Sequence, residues 1–334
     1  MEWRFEMRKN HKRVFAGVSI SMIVIIVSVI FFIRFNSGKS DKMQTEGQKQ
    51  GFQLNDNGTV TLGNGYVAHG FYTKDGKLIN SGDDVICEDG YIRGWIEFQQ
   101  NITETMEYGL IIMTDFVQKK FAVEGKQYNC YRFSLPGNGN VRIAVEIPVE
   151  DKAYEMEYLI VPEPDAKNYS MNSESEWNNF NVTKDVRTSS YRIIDGGTES
   201  KRVPPVFEKI ETKKLEELAF EGNTGFELVK SSKDLRVFDS AKCGSRACLC
   251  LGGMRKEVEA YAVVAFCDWK QTEFSKGEFV RCYTSVPDGN YYEEINFPNI
   301  KKDCVYQMFA FEMPFESRMG ILLHQTFRIK LERR

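Results

Sequence analysis

The chain has 334 residues, 42% of them hydrophobic, and a formal net charge of −3 with acids and bases interspersed. That balance leaves no basic footprint for nucleic acid, and no nucleic-acid role is expected. The length is enough to bury a sizeable core in two domains.

The first element is a charged segment at residues 1–13, where Arg4, Arg8, Lys9, Lys12 and Arg13 are interrupted by Glu2 and Glu6. Residues 14–33 then read VFAGVSISMIVIIVSVIFFI, twenty residues without charge, Pro, Asn or Gln. A helix of that length crosses a hydrocarbon core of about 30 Å, so the lipid bilayer is an expected partner through this stretch. A cleaved signal peptide competes, but its apolar region would be shorter and end in small residues, whereas FFIRFN follows here. More basic residues precede the span than follow it, which predicts a cytoplasmic amino terminus and extracytoplasmic carboxyl-terminal domains. Residues 34–51 are polar and aperiodic and read as a flexible stalk.

Beyond the stalk the text is strand-like. YIRGWIEF, YGLIIM, QYNCYRFSL, VRIAVEIPV and YEMEYLIV are short aromatic or β-branched runs, and PGNGN after Leu135 reads as a turn. KIETKKLEELAF offers the one weak helical pattern. A mainly β chain of antiparallel two-sheet sandwiches is expected, with apolar residues on one side of several strands and polar residues on the other. The domains are placed at residues 52–164 and 206–334. Residues 165–205 form a linker or partly packed insertion, because Trp177, Phe180, Tyr191 and Ile193 are too apolar for free chain. Pro204 and Pro205 interrupt pairing at its end.

An internal repeat supports the two-domain reading. YGLIIMTDFVQKKF and YAVVAFCDWKQTEF align Tyr108, Asp115, Gln118 and Phe121 with Tyr261, Asp268, Gln271 and Phe274. One deletion then matches Cys130 with Cys282, and YEMEYLIVPEP matches CVYQMFAFEMP. Each Asp ends an apolar strand, and its carboxylate is expected to accept backbone hydrogen bonds in the next turn rather than hold a cation.

All eight cysteines lie beyond the apolar span, on the side where disulfides persist. Cys87 and Cys130 are the one possible pair within the first domain. Cys243, Cys248, Cys250, Cys267, Cys282 and Cys304 form a disulfide cluster of unassigned pairing in the second. KCGSRACLC could instead offer thiolates to zinc, but its C-x4-C-x-C spacing lacks the usual C-x2-C pair, so no metal is expected.

Catalytic patterns are thin. His11 precedes the span, and His69 and His324 fall in different domains. GNG near Gly63 and GGTES near Gly197 read as turns, not nucleotide loops. The acidic pairs Asp83–Asp84 and Glu293–Glu294 read as solvated surface. N-x-S/T occurs at Asn57, Asn101, Asn168 and Asn181, an attachment signal only in a host that glycosylates. Neither a catalytic residue nor a cofactor is assigned, and the chain is not expected to be an enzyme.

Duplicated sandwiches on a membrane stalk resemble immunoglobulin-like extracellular modules in architecture, which implies a fold and not a function. The expectation is a single-pass membrane protein that binds or assembles with a protein or cell-envelope partner through tandem β domains. A scaffolding subunit of an envelope complex is the alternative, and an extracytoplasmic hydrolase comes after it.

Overall fold

The computed structural model describes residues 53–54, 60–61, 66–166, 185–196, 202–215, 225–252, 260–284, 290–312 and 323–334. The chain divides into two units, Met1–Gln53 and Leu54–Arg334. The expected span at 14–33 and stalk at 34–51 lie outside the described residues. Among the described residues no helix is long and apolar enough to cross a membrane.

The described part is mainly β. Two short strands, β1 (Gln53–Leu54) and β2 (Val60–Thr61), precede the first sandwich. Its strands are β3 (Tyr66–Tyr72), β4 (Leu78–Ile79), β5 (Asp84–Cys87), β6 (Tyr91–Asn101), β7 (Met106–Thr114), β8 (Val117–Lys119), β9 (Phe121–Val123), β10 (Lys126–Tyr128), β11 (Tyr131–Leu135), β12 (Asn140–Pro148), β13 (Glu155–Pro162) and β14 (Arg187–Asp195). One sheet runs β10-β9-β12-β6-β3-β4, and the facing sheet runs β11-β7-β13-β14-β5 with β8 added on β7. The inner face shows period-two burial: Ile92, Ile96 and Phe98 of β6 point into a core that Leu110, Ile112, Tyr158 and Tyr191 enter from the other sheet.

The second sandwich holds β15 (Lys209–Ile210), β16 (Lys213–Lys214), β17 (Phe226–Ser231), β18 (Asp234–Val237), β19 (Ser240–Lys242), β20 (Arg246–Gly252), β21 (Ala260–Cys267), β22 (Lys270–Thr272), β23 (Arg281–Thr284), β24 (Asn290–Asn296), β25 (Cys304–Glu312), β26 (Leu323–Gln325) and β27 (Ile329–Glu332). Its sheets run β15-β23-β21-β25-β27-β19, with β22 on β21 and β26 on β25, and β16-β24-β20-β17-β18.

The structure sharpens or corrects the sequence reading in three places. Of the two alternatives for residues 165–205, the packed one holds for part of the segment: β14 pairs antiparallel with β13 and parallel with β5, so residues 187–195 complete the first sandwich. Within the weak helical pattern, Lys209–Ile210 and Lys213–Lys214 are strands that pair with β23 and β24, because tertiary partners override a marginal helical period.

The third difference is the largest. β13 and β25 are buried along their whole length, not on one side. Leu110 and Ile112 face the first core while Ile111 and Met113 of the same strand face the second sandwich. Tyr261, Val263 and Ala265 face the second core while Ala262, Val264 and Phe266 face the first sandwich. The β7 and β21 sheets therefore pack against each other, and four sheets stack in sequence. A strand covered on both faces favours an apolar run, which YGLIIM and YAVVAF supply and YEMEYLIV supplies from Tyr158 onward, with Glu155 and Glu157 buried before it.

Candidate functional site

The repeated motif forms the centre of the joint between the sandwiches. Each β hairpin turns on two residues with positive φ, Asp115 (49°) and Phe116 (62°) in the first copy and Asp268 (45°) and Trp269 (64°) in the second. A two-residue hairpin turn needs this left-handed backbone, which Asp tolerates and bulky aromatics do not favour. Burial offsets that cost, since Phe116 and Trp269 both sit in the apolar cluster between the sandwiches. Phe116 packs on Phe311 with ring centroids 5.0 Å apart.

Beside these rings the two glutamines exchange hydrogen bonds. Gln118 N donates to Gln271 Oε1 at 2.6 Å, and Gln271 N donates to Gln118 Oε1 at 2.8 Å. The side-chain amides cross the same way: Gln118 Nε2 reaches Trp269 O and Gln271 Nε2 reaches Phe116 O, both at 2.8 Å. Residue i of one copy thus meets residue j of the other and the reverse, the pattern of a two-fold dimer interface realised inside one chain.

The aspartates hold the hairpins from behind. Asp115 N donates to Glu155 O, and its Oδ1 accepts from Tyr154 N at 3.0 Å and Glu155 N at 2.9 Å. Asp268 N donates to Val305 O, and its Oδ1 accepts from Val305 N at 3.0 Å. The accepted N–H groups belong to the neighbouring strand, not to the next turn. Burial pushes the Asp115 carboxyl above its ordinary value, and the two backbone donors oppose that. The matched tyrosines are buried in their own cores, where Tyr108 OH donates to Gln100 Oε1 at 2.7 Å and Tyr261 OH lies 3.5 Å from Glu312 Oε1. Phe121 is buried in the first core and Phe274 packs against the second.

Strand register corrects the cysteine match. Phe133 pairs with Tyr108 and Tyr283 pairs with Tyr261, so Cys130 corresponds to Val280 and Cys282 to Arg132. The first copy spends the additional residues on the β9–β10 hairpin. Cys130 and Val280 accordingly both pack against the cluster between the sandwiches.

The expected Cys87–Cys130 bridge is also corrected. All eight cysteines are unbridged in this structure. Cys87 lies on β5 and Cys130 adjoins β11, at opposite edges of one sheet. Four strand spacings of about 4.8 Å separate them, far beyond disulfide reach. They also face different ways, Cys87 into the first core and Cys130 towards the second sandwich. Cys248 and Cys250 share one face of β20 in a small outer cluster with Leu215 and Val229. Cys243 and Cys304 enter the second core, Cys267 packs against it and Cys282 is buried on β23. Among the described residues no group of His, Cys, Asp and Glu is placed to hold a metal ion.

The histidines occupy separate settings. His69 Nδ1 lies 2.7 Å from Tyr158 OH, and burial, with Arg187 adding to it, lowers its pKa to about 4. His324 Nε2 lies 2.7 Å from Glu312 Oε1, beside a small cleft lined by Phe226, Gly252, Tyr261, Ala310 and His324.

Phe116, Gln118, Trp269 and Gln271 are occupied in the joint, whereas the outer face of the β6 sheet is open among the described residues. Trp95 is 37% exposed, Leu78 47% and Tyr91 36%. Across the ladder Trp95 pairs with Tyr72 on one side and Ala144 on the other, and Tyr72 pairs with Leu78. A Cβ on Gly70 would come within 2.8 Å of Leu78 Cδ1, so bare backbone lets Leu78 lie flat. Two ion pairs border the aromatics, Arg142 Nε to Glu97 Oε2 at 2.7 Å and Arg93 Nε to Glu146 Oε2 at 2.8 Å. Their guanidinium groups also lie over rings, Arg142 at 5.7 Å from Tyr72 and Arg93 at 4.7 Å from Tyr91. Sequence reasoning did not single out this face. The signal was present in YIRGWIEF, where Trp95 falls in the same parity as Arg93 and Glu97 and opposite to Ile92 and Ile96.

No family model matches the chain, and no curated protein matches it. Among solved structures, a PapD-like domain of human CEP192 aligns at 9% identity and a TM-score of 0.22, covering 49% of this chain and 98% of that one. The CBD12 structure from CALX1.2 aligns at 10% identity and 0.19, covering 69% of this chain and 77% of that one. The secreted serine protease VesC from Vibrio cholerae aligns at 6% identity and 0.21, covering 78% of this chain and 50% of that one. None of the three decides what this chain binds.

Proposed function

We propose that this chain is a membrane-anchored, extracytoplasmic binding or assembly protein that acts without catalysis, its tandem sandwiches forming one stiff unit on a stalk. The observation that carries the reading is the contrast between two apolar surfaces. The twin-hairpin surface is consumed inside the molecule, whereas the Trp95 face is open. Exposed aromatics ringed by arginine–carboxylate pairs suit a protein or cell-envelope partner, since aromatic and Arg side chains carry much of the energy at such interfaces. The apolar span at 14–33 supports the anchoring and orientation in this reading.

A photo-crosslinking residue placed at position 95 in intact cells tests it. A discrete adduct is expected from position 95 and not from Val237, an exposed position on the second sandwich. Absence of an adduct from 95 overturns the choice of face. Protection of residues 50–334 from protease in sealed cells overturns the topology.

A further inference from the structure

The eight cysteines are not equivalent, and one pair stands apart. Cys267 is the last residue of β21 and Cys304 the first of β25, and these strands are antiparallel neighbours. Cys267 lies opposite Tyr306, two residues from Cys304, so all three side chains share one face of the sheet. That face is the second core, where Cys304 and Tyr306 are buried and Cys267 packs against them. Cys304 is the group that most raises the Cys267 thiol, and after burial both cysteines raise the Tyr306 hydroxyl, so the three side chains lie together. Cys248 and Cys250, by contrast, are one residue apart on a single strand, which holds them about 6.6 Å apart along its axis.

We propose that Cys267 and Cys304 are a disulfide-forming pair, joined when the folding chain meets a disulfide oxidant such as oxidised glutathione or a protein disulfide. One cysteine thiolate attacks the oxidant, forming a mixed disulfide and releasing one thiol. The other cysteine thiolate then attacks the protein sulfur of that mixed disulfide, forming the Cys267–Cys304 bond and releasing the second thiol. The protein loses two electrons and two protons, and the oxidant gains both as two thiols.

Cys304 and burial hold the Cys267 thiol well above its ordinary range. Cys267 is therefore a poor attacking thiolate once packed, which favours exchange while β25 is still docking onto β21. The bond would fasten the strand end that carries Asp268 and Trp269, and so the second half of the joint. The first sandwich has Thr114 and Tyr154 at the corresponding positions, so only one copy carries this fastening. An extracytoplasmic compartment, as in the proposed function, would supply the oxidant.

The test is refolding of the full chain in a mixture of oxidised and reduced glutathione, alkylation of remaining thiols, and mass mapping of the digest without reduction. The expected product is the Cys267 peptide joined to the Cys304 peptide, with Cys87, Cys130, Cys243, Cys248, Cys250 and Cys282 alkylated. Alkylation of Cys267 and Cys304, or a bond from either to a third cysteine, overturns the proposal. A Cys267→Ala chain treated identically should leave Cys304 alkylated, and a new partner for Cys304 would also overturn it.

Discussion

The two sandwiches bring homologous strands to their joint but equip them differently. Counting from the carbonyl that each hairpin Asp reaches, Glu155 and Val305, the next inward-facing position is Glu157 in the first sandwich and Gln307 in the second. Gln307 is fully engaged, its Nε2 donating to Thr326 O at 2.7 Å and its Oε1 accepting from Arg328 Nε at 3.3 Å. Arg328 then crosses the joint and donates to Pro162 O and Glu163 O, both at 2.7 Å. Its guanidinium lies 4.8 Å from the Trp269 ring, whose Nε1 donates to Pro164 O at 2.6 Å. Glu157 is fully buried, accepts one N–H from Phe116 at 3.3 Å, and leaves Oε1 without a hydrogen-bond partner. A near-symmetric backbone frame thus carries asymmetric polar clamps, with Arg328 and Trp269 of the second sandwich reaching onto the end of β13 and the residues just after it.

The largest effect is expected from Trp269→Ala, which removes a 2% exposed ring together with its hydrogen bond. A loss of about 3–5 kcal/mol in urea denaturation is expected. A loss below about 1 kcal/mol would mean that the sandwiches do not depend on each other for stability. Arg328→Met keeps much of the volume but strips two carbonyls of their charged donor, and should cost about 3 kcal/mol by the same measurement.

Glu157→Gln sharpens the comparison from the opposite side, because it installs the second sandwich's residue in the first. Burial, with Glu155 and Asp115 adding to it, pushes the Glu157 carboxyl well above its ordinary 4.5. The unfolded chain releases this proton as pH rises past 4.5 while the folded chain retains it. The folded state then binds more protons, and its stability falls with rising pH until the folded carboxyl also ionises. Glu157→Gln should therefore raise stability at pH 8 and leave it nearly unchanged at pH 4. Thermal unfolding of both chains across that range checks it. Burial likewise raises Glu227 to about 8 and imposes the same sign between 4.5 and 8, so the variant should flatten the profile only in part.

The smallest effects separate the twin aspartates. Asp115→Ala should cost about 1–2 kcal/mol, because two strand N–H groups lose their acceptor. Asp268→Ala should cost about 0.5 kcal/mol, since it accepts one N–H and its partner Lys302 is largely exposed. Equal losses would erase the distinction.

How much was legible in the sequence varies by residue. The apolar runs around Leu110 and Val263 marked strands, and the spacing from Tyr108 to Phe121 marked its own repetition, because these are local patterns. The role of Gln118 was not readable, since its partner Gln271 lies 153 residues away and no local rule pairs them. Cys130 was matched to the wrong residue because sequence spacing ignored the hairpin β9–β10, whereas the ladder register does not. Trp95 passed unnoticed for a simpler reason: its parity was in the text, but a tryptophan inside an apolar run reads as core until the uncovered face is seen.

By itself the sequence determined that the chain beyond residue 52 is mainly β, that it contains related halves, and that an aspartate ends the matching apolar strand in each half. Backbone sterics and period-two burial act over a few residues, so they are written locally. Only the tertiary structure decided that the halves face each other across Phe116 and Trp269, that Arg328 clamps one onto the other, and that Cys267 rather than Cys87 has a thiol neighbour. Those outcomes depend on which buried faces meet once every strand is in register. Side chains brought together from distant positions by packing leave no spacing in the sequence from which to read it.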